Sequence, residues 1–161
     1  MKAIITAVLL TTAGTTQASS CWKRFVAIQK EVGKKPINYK LAKHMCVYFK
    51  DQAMLERAIS ISYLESTWRN VVSQYGEDYG VFQFSEDTIA DLGLDKNYLM
   101  LSLFYQFHTF NRFMERKLHY CYKRKVPEAC WHSVTPKFHK PYARKYKAIH
   151  TIVTKHMKGI K

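Results

Sequence analysis

A single acidic side chain, Glu65, ends a run in which Met54, Ala58, Ile61 and Glu65 recur at steps of four, three and four. That spacing lines one face of a helix, so three apolar residues lead up to one carboxylate. The position is also the carboxyl end of the helix, where the macrodipole is negative. Desolvation and dipole both disfavour the ionised form and raise the expected pKa of Glu65, as a general acid working near neutral pH requires. A second group of interest, Gly80, Val81, Phe82 and Gln83, follows after a turn-rich stretch. Asp78 just before it is a second carboxylate that could position a water molecule opposite Glu65. The plainer alternative for Asp78 is a turn residue beside glycine.

The elements that must hold these groups read as helices. Trp22, Phe25, Val26, Gln29 and Val32 follow helical spacing and Gly33 ends them. Asn38 caps a second helix reaching about Lys50, with Leu41 and Met45 inward, and Asp51 caps the Glu65 helix, whose stripe Leu55 and Ile59 widen. Residues 81–84 suit a short strand or hairpin arm, after which Ser85 caps a short helix stopped by Gly93. Met100, Leu103, Phe107, Phe110, Met114 and Leu118 keep a three-or-four step, which predicts one long central helix from Tyr98 to Tyr120. Pro127 opens a short helix through Trp131 and His132. Pro136 marks an extended break, and Pro141 opens a last helix with Tyr142, Tyr146, Ile149 and Val153 inward.

At 161 residues, 47% hydrophobic and 14% aromatic, the chain fits one folded domain and not a disordered basic tail. Lys2, the apolar run Ile4 to Leu10 and the small residues up to Ala18 read as a secretory signal cleaved near Ala18 (residues 1–18), too short to span a bilayer. The remaining 19–161 would form the domain, periplasmic or secreted. In an exported protein Cys21, Cys46, Cys121 and Cys130 suggest two disulfides. Three connectivities are open; Cys121–Cys130 closes the shortest loop, leaving Cys21–Cys46. A lipid-anchored Cys21 is the weaker alternative. Lys and Arg outnumber Asp and Glu by 26 to 12, which draws the protein to polyanions without choosing among them. No metal-binding spacing or nucleic-acid motif is present, so neither a metal nor nucleic acid is expected.

Taken in order, Asp51 to Leu55, Ile61 to Ser66 and Gly80 to Gln83 resemble the lytic transglycosylases with the goose-type lysozyme-like (SLT) catalytic domain, over roughly Gln52 to Val153. Glu65 and Ser66 stand at that family's Glu-Ser pair, and Gly80 to Gln83 at its Gly-Leu-Met-Gln motif, with Val and Phe at the two apolar places. The resemblance implies a mainly α, lysozyme-like single domain and no cofactor. Its activity would be cleavage of the MurNAc–GlcNAc β-1,4 linkage with formation of 1,6-anhydroMurNAc, Glu65 acting as acid and then base. Ser66 would orient Glu65, and Gln83 would line the sugar cleft. A third family motif places a tyrosine hydroxyl by the glutamate; here Cys130, Trp131, His132, Ser133 and then Thr135 and Pro136 stand in its place. An indole donates one hydrogen bond and accepts none, so Tyr142 becomes the substitute hydroxyl and His132 a sugar contact. Trp131 as a core aromatic and His132 as a surface residue are the bland alternatives.

The implied partners are peptidoglycan glycan strands and a secretion, conjugation or phage assembly machine, the protein itself being a monomer. Two rivals keep this scaffold: a goose-type lysozyme-like hydrolase using Asp78 to position water, and a non-catalytic cell-wall-binding or assembly protein.

Overall fold

The computed structural model describes residues 20–33, 38–121, 131 and 136–159. The leader at 1–18, the short helix opened by Pro127, the Cys121–Cys130 pairing and His132 fall outside the described residues. The chain is mainly helical, with α1 (20–32), α2 (Tyr39–Tyr48), α3 (Gln52–Ser66), α4 (Glu86–Asp91), α5 (Lys96–Leu101), α6 (Leu103–Cys121) and α7 (Pro136–Met157). One small antiparallel sheet pairs β1 (Asp78–Tyr79) with β2 (Phe84–Ser85), Asp78 opposite Ser85 and Tyr79 opposite Phe84.

The helix starts follow from side chains that accept bonds from free N–H groups. Asn38 accepts from Lys40 N at 2.8 Å, Asp51 from Met54 N at 2.7 Å and Ser85 from Thr88 N at 3.2 Å. α1 buries Cys21, Phe25 and Ile28, a face rotated from the expected one with Val26 and Gln29. The rotation fits the Cys21–Cys46 disulfide, which ties α1 to α2 with Cα atoms 6.1 Å apart. A cysteine in that bond carries no lipid. Exchanging Cys21 and Cys46 together for serine is expected to cost about 3 kcal/mol in urea unfolding, the loop entropy of a crosslink spanning 25 residues. A loss under about 1 kcal/mol would mean that the bridge constrains little of the unfolded chain.

The centre of the core is α3. It packs chiefly on α7 and buries Leu55, Ala58, Ile59, Ile61 and Tyr63. Its buried serines are satisfied within the helix, Ser60 donating to Glu56 O (2.7 Å) and Ser62 to Ala58 O (2.6 Å). The long central helix expected from Tyr98 to Tyr120 is instead two. Asp95 caps α5 by accepting from Asn97 N and Tyr98 N, and Ser102 is extended (φ −123°, ψ 107°). Ser102 then starts α6, its hydroxyl accepting from Tyr105 N at 3.2 Å. The last helix begins at Pro136 and runs through Pro141. Proline is well suited to a first helical position, and Pro141 removes only one N–H early in a long helix. Tyr142, Tyr146 and Val153 face the core as their spacing predicts, with Lys140, Arg144, Lys145 and Lys147 exposed on the outer face.

Candidate active site

Glu65 lies in the last turn of α3, and the chain turns sharply just beyond it. Thr67 (φ 52°) and Trp68 (φ 61°) both take the left-handed conformation without being glycine. This costs roughly 1–2 kcal/mol per residue unless the surroundings compensate. Here Thr67 N bonds Tyr63 O (2.9 Å), Trp68 N bonds Ser62 O (3.2 Å), and the buried indole donates to Ile59 O (3.1 Å). The indole thus nails the helix end in place.

Ser66 does not orient Glu65. Its hydroxyl lies within donating distance of Ser62 O (3.0 Å) and Val81 O (2.8 Å), and it accepts from Arg69 N (3.1 Å). Ser66 therefore fastens α3 to the 80–83 turn. A hydroxyl that can bond a carbonyl one helical turn back and a facing loop is suited to this joint.

Glu65 is partly exposed, and its Oε1 accepts a hydrogen bond of 2.7 Å from the Tyr142 hydroxyl of α7. Burial pushes the Glu65 pKa up to about 7; the bond from Tyr142 opposes this and the charge of Asp78 adds to it. Tyr142 is itself buried, and burial together with the Glu65 carboxylate raises its pKa, so it stays a donor. Tyr142→Phe removes the influence that lowers the Glu65 pKa. The titration of Glu65 is expected to move up by about one pH unit from about 7. Carboxyl-carbon NMR of Glu65 measures this directly, and a downward movement would exclude the phenol as a donor to the charged form.

Glu65 and Asp78 line the same cleft of about 210 Å³, walled by Gln83, Phe84, Phe113 and Trp131. Of the four residues 80–83, only Gln83 reaches it. Gln83 Nε2 is occupied by Gly80 O (2.7 Å) and Val71 O (2.9 Å). Val81 and Phe82, the two apolar places of the motif, are fully buried. Phe82 stacks on Phe110 with ring centroids 4.3 Å apart. Trp131 gives its indole N–H to Phe82 O at 3.2 Å, its ring packing on Phe113 at 4.6 Å. It is both core aromatic and cleft wall.

Sequence reasoning misses Gln106. This residue is 0% exposed, and its amide makes three bonds of 2.8 Å: Oε1 accepts from Val81 N, while Nε2 donates to Asn70 Oδ1 and Leu99 O. It holds the 80–83 turn from behind. Its only signal is an amide standing three residues after Leu103 and four before Phe110, on the stripe that should be apolar. Among the described residues no cluster of His, Cys, Asp and Glu could hold a metal ion, and no helix is long and apolar enough to cross a membrane.

No family model, curated protein or solved structure matches this chain. Its function is therefore to be read from the site itself.

Proposed function

We propose that the protein is a peptidoglycan lytic transglycosylase with a lysozyme-like fold, and that Glu65 is its acid and then its base. The observation that carries this reading is a carboxyl group at the edge of an open cleft whose pKa is pushed up to about 7 and whose conjugate base has a phenol waiting to bind it. Near neutral pH a large fraction of Glu65 holds a proton and can give it to the glycosidic oxygen as the bond to the anomeric carbon breaks. The carboxylate left behind is stabilised by the Tyr142 hydrogen bond. It then takes the proton of the muramic 6-hydroxyl as that oxygen closes on the anomeric carbon, so the proton balance is restored and no water is consumed.

Other features support the same reading. The residue order around Glu65 and Gly80–Gln83 resembles that of the transglycosylases. Aromatic walls from Phe84, Phe113 and Trp131 suit the apolar faces of sugar rings. The Cys21–Cys46 bond fits an oxidising, exported setting, and a formal net charge of +14 favours an anionic wall. The reaction needs neither metal nor organic cofactor. A machine that must pass through the wall, for secretion, conjugation or phage assembly, would use such an enzyme to open it locally.

One observation favours a second reading: Asp78 faces the same cleft as Glu65. A carboxylate there could direct water to the anomeric carbon and turn the enzyme into a hydrolase. Mass spectrometry of soluble fragments after incubating the protein with purified peptidoglycan separates these outcomes. Fragments with 1,6-anhydromuramic ends establish transglycosylation and reducing ends establish hydrolysis. Folded protein that releases nothing while it sediments with the wall is a binding protein instead.

A further inference from the structure

A second and larger cavity, of about 410 Å³, lies between α2 and the α5–α6 junction and shares no lining residue with the Glu65 cleft. This volume falls in the range of sites that hold small organic ligands and is far more than a bare inorganic anion fills. Part of the lining is apolar, formed by Leu41, Trp68 and Phe104 with Leu101. Leu101 is 85% exposed and Phe104 45% exposed, so among the described residues much of their apolar surface is uncovered. Lys40 and His44 of α2 also line it, and among the described residues no acidic side chain does.

His44 is not explained by the fold. Its Nδ1 is buried and has no hydrogen-bond partner among the described residues, although a buried ring nitrogen ordinarily has one. Its ring leans on Phe104, centroids 5.0 Å apart. Burial first, and then the charges of Lys40 and Lys43, hold its pKa below the ordinary histidine value. The cation Lys40 and the imidazole of His44 therefore stand together in a cavity that Asn38, Asn70 and Ser102 also line.

We propose that this cavity binds a small aromatic carboxylate, its anionic end taken by Lys40 and His44 and its flat apolar body laid over Phe104 and Leu101. The charge is complementary, and the ligand covers the apolar surface that the fold leaves open. The site is separate from the glycan-cutting reading and does not depend on it.

The test uses the whole protein with N-acetyl-L-phenylalanine as the probe and its neutral amide as the control. Binding is followed by NMR of the His44 ring and the Leu101 methyl groups. The acid is expected to shift both saturably, with the amide weaker by about tenfold or more, because a charge-assisted contact is lost. Lys40→Ala, a change at an exposed position, should bring the acid down to the level of the amide and leave the amide's own binding unaltered. Equal binding of acid and amide, shifts confined to residues of the Glu65 cleft, or shifts that never saturate would each overturn the proposal. The comparison of acid with amide on the unaltered protein stands even if the variant fails to fold.

Discussion

If the protein acts as proposed, Glu65→Gln is expected to lower glycan cleavage by about 10³-fold or more, and the same change is expected to make the protein more stable above pH 7. The first effect follows from the role proposed for the residue. An amide of the same shape has no proton to give, and general acid catalysis contributes about 10²–10⁴-fold. The second effect follows from burial. The folded pKa of about 7 lies above the ordinary 4.5, so folding favours the protonated form. The stability that Glu65 contributes is therefore complete below about pH 4.5 and is lost as pH rises through 7. The difference in pKa corresponds to about 3 kcal/mol, all of it forfeited once the buried group is ionised. Glutamine escapes this loss because it does not ionise, and its carbonyl oxygen can still accept the Tyr142 bond. Urea unfolding of both proteins at pH 5 and pH 8 measures the gap, which should be small at the first and about 3 kcal/mol at the second. Equal stability at both values would mean that Glu65 is solvated and poorly placed to act as an acid. Undiminished cleavage would move the chemistry to another residue.

Gly80→Ala is expected to cost about 3 kcal/mol of stability and to distort the Glu65 cleft although no side chain lining it is changed. Gly80 has φ +81°, and an added Cβ would lie 2.4 Å from Gln106 Oε1 and 2.7 Å from its Cδ. An exposed glutamine would swing aside at little expense. This one is buried and held by its three bonds to Val81, Asn70 and Leu99, so it yields only by breaking them. In a Gln106→Ala background the steric part should vanish and leave only the backbone strain of about 1–2 kcal/mol. Thermal unfolding of the two single variants and the double variant closes the cycle. A full additive loss in the double variant would show that the conflict is not with Gln106.

Much of the fold is legible because its helix starts are written locally. Asn38, Asp51 and Ser85 each cap the helix that follows, and the cap needs only a few residues to be recognised. The break at Ser102 is less visible, since apolar residues keep a three-or-four step across it and periodicity is blind to one extended residue. Asp95 and Ser102 are the signals of a stop and restart, and they outweigh the pattern. Pro136 and Pro141 are ambiguous for a related reason. Proline suits both a first helical turn and a break, and only the packing of α7 on α3 decides between them.

At the site, Glu65 can be named from its place on an apolar helix face and Tyr142 only through the resemblance, and they stand 2.7 Å apart. The inward turn of Val81 and Phe82, the joint made by Ser66 and the brace made by Gln106 are different. Each depends on partners 15 to 25 residues away in the chain, which no local pattern encodes. The burial of Val81 and Phe82 is hidden for the same reason: apolar residues beside a cleft and apolar residues beneath it look alike in sequence.

The three tryptophans are distributed so that each sees a different part of the molecule. Trp131 forms a wall of the Glu65 cleft, Trp68 lines the second cavity, and Trp22 packs edge-on against Tyr39 with ring centroids 4.7 Å apart, next to the disulfide-bonded Cys21. Indole emission is sensitive to the polarity and quenchers around the ring. Variants that keep one tryptophan at a time would therefore fluoresce as three separate dyes, one for each cavity and a third for the α1–α2 corner, with no label attached.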